Sequence, residues 1–377
     1  MKHLLINTAK NLYATYTRFI SKKSNGKLEK KQVVYLLSFP NNDHGLIKEL
    51  AKDYSLVVCY TKGAQREGEA LAQEGMQVVS INSFLGLTKT IQAIGKSPLV
   101  IADNYFPFLG DIKKQDKQTI IQLWHATGAI KQFGLEDKSI VTRSQSDKER
   151  FKRVYRSFDY YVVGSKAMGE VFQKSYGAKN KQLLYLGFPR TDYLKQQTTS
   201  TSQTMSRVLY LPTYRQDNMP MLVDDLLALR EKLPKETSLY IKAHPTMAIG
   251  NAEKLTNVEG IQLVDEKASS DELLLQADCL ITDYSSVAFD YALINPVGKL
   301  IFYWFDEAEY NQTTGIQPIF KETLPTEVCH TLDEVMTQLD DRKQDLHAFN
   351  EVWNTYNDGF ATQRLLEWIK EKMDGEK

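Results

Sequence analysis

From Gln32 onward, short apolar runs alternate with stretches of helical period. Residues 33–37, 56–60, 99–102, 119–123 and 160–163 are almost wholly apolar rather than alternating, which marks strands buried on both faces. A helical pattern over 43–52 separates the first two. Polar residues 195–206 (KQQTTSTSQTMS) then carry no apolar periodicity and read as a linker. The alternation restarts at 208–211, 239–242, 261–264, 279–282 and 300–303, and a last helix is predicted near 363–373. Strand and helix in alternation predict parallel sheets covered by helices. The chain therefore divides into an arm (1–31), a first Rossmann-like domain (32–195), a linker (196–206) and a second Rossmann-like domain with its terminal helix (207–377). The fold class is α/β, two doubly wound domains facing a cleft, with ligands expected beyond the carboxyl ends of the strands.

The arm has its own pattern. Leu5, Ala9, Leu12, Tyr16, Phe19 and Ile20 recur at three- and four-residue steps, one stripe of a helix. Lys2, Lys10, Arg18, Lys22, Lys23, Lys27, Lys30 and Lys31 surround it, against one acid, Glu29. Such a helix suits the plane of an anionic membrane surface. It equally suits a first helix packed on its own domain, followed by a solvated basic linker.

Composition narrows the function classes. Among 377 residues, Lys+Arg and Asp+Glu both number 47, so bulk charge gives no reason to expect nucleic-acid binding. Cys59, Cys279 and Cys329 follow no metal or disulfide spacing, which fits a reduced compartment. No run reaches the ~20 apolar residues of a membrane span. The opening apolar run is too short for a signal peptide, so a cytoplasmic location is expected.

Candidate chemistry gathers at strand ends. In DCLITDYSSVAFD, residues 278–290, a buried strand runs through Asp283 into Ser285 and Ser286 and then a helical pattern. Serine hydroxyls and a helix N-terminus make a phosphate cradle; the same residues also serve as an ordinary helix cap. His125 follows one strand in LWHATG and His244 follows another in IKAHP, one in each half. A histidine in that place suits a general base, or a structural hydrogen bond. Neither has a second ligand at metal spacing, so no metal or other cofactor is expected. Arg190 and Arg215 lie in two further strand-end loops, GFPRTD and PTYR, where a guanidinium suits phosphate oxygens.

These segments in this order resemble the CDP-glycerol glycerophosphotransferase family of teichoic acid synthesis. The matching pieces are LWHATGAIKQFG from Leu123, GSKAMGEVFQKSYG from Gly164, LGFPRTDYL from Leu186, VLYLPTYR from Val208, IKAHP from Ile241 and ADCLITDYSSVAFDYAL from Ala277. Two features depart from the common family pattern. Ala126 follows His125 where much of the family has glycine, a form closer to the short priming members, and Thr314-Gly315 stands where an Arg-Gly pair is frequent.

The resemblance implies a GT-B-like fold and a donor, CDP-glycerol or CDP-ribitol, whose polyol phosphate passes to a lipid-linked acceptor at the inner leaflet of the cell membrane. It implies His125 as the base on the acceptor hydroxyl and His244 at the donor diphosphate. Lys242, Arg215, Asp283, Ser285, Ser286 and Asp290 become donor-side candidates, with Trp124, Gly128, Arg190 and Asp192 as further cleft residues. A nucleotide-sugar transferase on the same scaffold, a capsule polymer as product, and a non-catalytic membrane scaffold are the competing readings.

Overall fold

β1 (Gln32–Leu37) is buried at all six positions and lies inside a seven-stranded sheet. In this computed structural model, residues 2–197, 205–213, 220–242, 253–265, 268–340 and 344–375 are described. β2 (Ser55–Tyr60) and β3 (Gln77–Ser80) extend the sheet on one side of β1. β4 (Leu99–Ala102), β5 (Thr119–Gln122), β6 (Tyr160–Val162) and β7 (Leu183–Leu184) extend it on the other, all parallel. Both faces carry helices, so these strands have no polar side to present, and their apolar runs follow from that.

The second sheet repeats the plan with five parallel strands. β8 (Arg207–Leu211) is central, β9 (Ser238–Ile241) and β10 (Ile261–Leu263) lie to one side, and β11 (Cys279–Thr282) and β12 (Lys299–Phe302) to the other. In each sheet the strand order reverses direction between the first strand of the unit and the fourth: β1 beside β4, and β8 beside β11. A crevice opens at such a switch point, beyond the strand carboxyl ends. This is the two-lobed arrangement the sequence predicts, with the expected polar linker lying largely outside the described residues at 198–204.

Two parts of the chain depart from the simplest reading. The helix Ala361–Asp374, grouped in the sequence with the second unit, lies against the first lobe: Trp368 meets Tyr160 edge-on at 5.1 Å, and Arg364 Nε donates to the Leu186 carbonyl at 2.8 Å. The N-terminal helix Lys2–Ser24 turns a narrow face of small residues, Ala14, Thr17 and Ser21, into the first lobe. Arg18 pairs with Asp111 at 2.6 Å, and the Tyr16 ring lies tilted against Phe84 of the helix Phe84–Ile94, with centroids 4.1 Å apart. The larger apolar side chains Ile6, Leu12 and Phe19 stay exposed, as do the neighbouring Phe84 and Leu85. The helix thus packs on protein with one face and offers apolar surface with another. No helix among the described residues is long and apolar enough to cross a membrane.

Candidate active site where the two sheets meet

The register places equivalent residues at the two switch points. Leu36 pairs with Ala102 and Leu211 with Thr282, so the acids that follow, Asp103 and Asp283, stand in matching places. Each clamps the loop after the first strand of its unit, β1 or β8. Asp103 accepts from the Ser38 amide (2.8 Å), the Ser38 hydroxyl (2.9 Å) and the Phe39 amide (2.9 Å). Asp283 accepts from the Thr213 amide (2.8 Å) and hydroxyl. Burial pushes the Asp103 carboxyl up to about 6 despite these donors.

In the first lobe this clamp builds the surroundings of His125. Phe39, held by Asp103, lies flat on the imidazole with centroids 3.8 Å apart and planes 6° from parallel. The Nδ1 atom is 3.2 Å from the Asp103 carbonyl oxygen. A carbonyl only accepts, so the proton is on Nδ1 and the Nε2 lone pair is left for a substrate proton. Trp124 packs against the same ring at 4.2 Å and takes the left-handed conformation (φ 68°), and its carbonyl accepts from Asn42 Nδ2 at 2.8 Å. Burial pulls His125 down to about 4; the charges of Arg190 and Lys131 act in the same direction, and the Asp103 carbonyl opposes them.

Between the lobes lies a buried charge cluster. Arg190 donates through Nη1 to Thr127 Oγ1 and Asp290 Oδ1, both at 2.8 Å, and through Nη2 to Asp271 Oδ1 at 3.2 Å. Thr127 also donates to Asp290, and His44 Nε2 meets Asp271 Oδ2 at 3.0 Å. Burial pushes the Asp290 carboxyl up against the pull of Arg190. For Asp271 the His44 hydrogen bond and the Arg190 charge outweigh burial and hold it low. The lobes are also joined by backbone: the Gln132 amide donates to the Gly315 carbonyl and the Gln317 amide to the Ile130 carbonyl. Gly128 lies so close to Phe289 that a Cβ would sit 2.7 Å from its ring.

The residues the motifs marked thus separate by role. His125 and Trp124 form one centre with Phe39, Asn42 and Asp103. Arg190, suited in the sequence to phosphate oxygens, and Asp290, a donor-side candidate, are partners of each other across the lobes. Asp192 accepts from the amides of Ala361 and Thr362 at 3.0 and 2.7 Å, capping the helix that returns to the first lobe. Asp283 orders the loop after β8. Ser285 and Ser286 stand half-buried before the helix Val287–Ile294, with no side-chain cap from Ser286. Lys242 directly follows β9 and donates to the Ala268 carbonyl and Ser270 Oγ; burial lowers its pKa. His244 and Arg215 lie outside the described residues. No group of three or more His, Cys, Asp or Glu among the described residues is arranged to hold a metal ion.

Sequence motifs passed over Phe39, Asn42, His44, Asp103 and Asp271. Asp103 had a signal, an acid directly after an apolar strand, the same one that marks Asp283. His44 likewise follows the run at 33–37.

The model of the CDP-glycerol:poly(glycerophosphate) glycerophosphotransferase family matches residues 17–371. The chain is similar to the teichoic acid glycerol-phosphate primase of Bacillus subtilis (strain 168), 32% identical over 357 residues, covering 90% of this chain and 91% of the relative. The teichoic acid ribitol-phosphate primase of Bacillus spizizenii is 29% identical over 292 residues, covering 72% and 74%. Among solved structures the wall teichoic acid polymerase TagF superposes with a TM-score of 0.71 at 21% identity, covering 99% of this chain and 96% of the other, a likeness of GT-B-like fold.

Proposed function

Since this chain belongs to the CDP-glycerol:poly(glycerophosphate) glycerophosphotransferase family, we propose that it transfers glycerol phosphate from CDP-glycerol to a lipid-linked disaccharide in wall teichoic acid synthesis. An acceptor hydroxyl oxygen attacks the phosphorus that bears glycerol, forming a new P–O bond. The bond from that phosphorus to the oxygen of CMP breaks, and CMP leaves with the electron pair. The hydroxyl proton passes to His125 Nε2. The observation that carries this reading is the tautomer of His125, with Nδ1–H spent on a carbonyl and no hydrogen-bond partner for Nε2 among the described residues. Ser285, Ser286 and the start of the helix behind them suit the donor diphosphate. Phosphoryl transfer depends chiefly on positioning and on neutralising oxygens, and these residues supply both.

Glycerol is favoured over ribitol because the likeness to the glycerol-phosphate primase runs over more of the chain than that to the ribitol-phosphate primase. The acceptor is borne by lipid, and the exposed apolar side chains beside a lysine-rich arm fit docking at the inner membrane surface.

The test is CMP release from CDP-glycerol with and without lipid-linked disaccharide, with mass spectrometry of the acceptor. Acceptor-dependent release with one added unit supports the reading; release with CDP-ribitol alone would replace the donor. His125→Ala is expected to lower turnover by at least ~100-fold, and near-normal turnover in that variant sinks the assignment of the base.

A further inference from the structure

Residues 38–45, the loop after β1, touch both halves of the site. At one end Asp103 pins Ser38 and Phe39, and Phe39 covers one face of His125. In the middle Asn42 holds the carbonyl of Trp124, the residue before His125. At the far end His44 reaches Asp271 of the second lobe at 3.0 Å and stacks on Tyr193 at 4.9 Å. We infer that this loop couples the approach of the two lobes to the orientation of His125, with His44 and Phe39 as its positioning residues; the inference rests on His125 being the base.

The loop is braced along its length. Asp43 Oδ2 accepts from the amides of Gly45 and Ile47 at 3.1 and 3.2 Å, and the Asn41 amide donates to Glu67 at 3.0 Å. Pro40 removes one backbone torsion. Asn41 and His44 take left-handed conformations, φ 56° and 41°, which persist only where surrounding contacts over-determine them. A segment so braced carries a displacement at His44 through to Phe39.

The carbonyl partner of Asn42 adds a second connection. A bulky residue with positive φ is uncommon, and the Trp124 conformation sets where the chain delivers His125. Loss of the Asp271 contact as the lobes part therefore frees the loop, and with it both the ring stacked on His125 and the hydrogen bond to the preceding carbonyl. With the lobes together, Phe39 and Asn42 hold the imidazole in place for the acceptor. Proton abstraction is in this way tied to a closed donor lobe, which keeps water from serving as the acceptor while the lobes are apart.

The test is a double-mutant cycle on the full chain, with acceptor-dependent CMP release as the assay. His44→Ala and Phe39→Ala are each expected to lower kcat about 10-fold with KM for CDP-glycerol within about twofold, and the double variant to be no slower than the slower single. His44→Gln, which keeps a donor for Asp271, is expected to regain most of the lost kcat. Effects that multiply, or a His44→Ala enzyme with unchanged kcat, overturn the coupling. A second readout does not depend on activity: ring-labelled histidine NMR, with the His125 signal identified from His125→Asn. His44→Ala should move that signal and raise its titration midpoint toward the ordinary histidine value; an unmoved signal overturns the inference. Should His125→Ala retain turnover, the base assignment fails alone, and the NMR measurement still decides the coupling.

Discussion

The Nδ1 proton of His125 rests on a backbone carbonyl rather than on a carboxylate, so no negative partner lifts the basicity of the ring. Burial, Arg190 and Lys131 hold it near 4, and at neutral pH it is an unprotonated acceptor. Bound donor changes that balance, because a diphosphate brings negative charge that favours imidazolium. The acid limb of kcat/KM, which reports the free enzyme, is expected near pH 4, well below the ordinary histidine value of 6.5. The limb of kcat should lie above it. Rate profiles in buffers of constant ionic strength measure both, and a kcat/KM limb near 6.5 contradicts the buried, cation-flanked ring.

Glu67 carries the opposite anomaly. Burial, then its hydrogen bond to Asp43, push its carboxyl from 4.5 up to about 8. The folded state therefore holds a proton that the unfolded chain releases. The stability this proton confers is complete below pH 4.5 and is lost as pH rises through about 8. Glu67→Gln places an amide donor toward Asp43 and keeps an oxygen for the Asn41 amide. Its melting temperature is expected to fall less between pH 5 and 8 than that of the unchanged protein, as thermal unfolding of the two across that range will show.

Among the elements, the helix Ala361–Asp374 owes its start to a residue from far earlier in the chain. Asp192 satisfies two amides of its first turn, and Asp192→Ala is expected to cost about 1 kcal/mol. Urea unfolding should register that loss without a change in KM for CDP-glycerol, since the side chain faces a helix end rather than the donor. What the sequence discloses at this scale follows from burial. Strands covered on both faces leave a continuous apolar run and are legible, whereas β3, with no fully buried position, and the two-residue β7 leave none and are missed. The cap is not legible either: Asp192 sits among plausible site residues, and only the returning helix explains it. The same limit applies to the base and its neighbours. His125 stands in a motif, but Ser38 and Asp103 are 65 residues apart, and only the reversal of strand order beside β1 brings them together. His44 and Asp271 lie 227 residues apart, each unremarkable in its own loop.

At the scale of the whole molecule, the chain is electrically neutral yet unevenly dressed. The lysines of the first helix and of the stretch after it flank exposed Ile6, Leu12, Phe19, Phe84 and Leu85. Each basic residue near an anionic surface contributes about 1 kcal/mol. On the proposed docking, the protein co-sediments with vesicles containing phosphatidylglycerol, and Phe19→Glu combined with Leu85→Glu should abolish that binding. It should leave CMP release with a soluble acceptor analogue intact. Vesicle binding that survives both substitutions would place any membrane contact elsewhere on the surface.

The return of residues 361–374 to the first lobe also bears on how the molecule is made. A ribosome delivers β1 to β7 early, yet the helix that covers Tyr160 and receives the Asp192 cap emerges only after the whole second sheet. At ~5–20 residues per second the wait is on the order of ten seconds. During that interval the nascent first lobe presents an uncovered apolar patch beside an unpaired carboxylate. Synthesis rate and chaperone supply then bear on how much of the chain reaches the folded state, beside the stability of the finished enzyme.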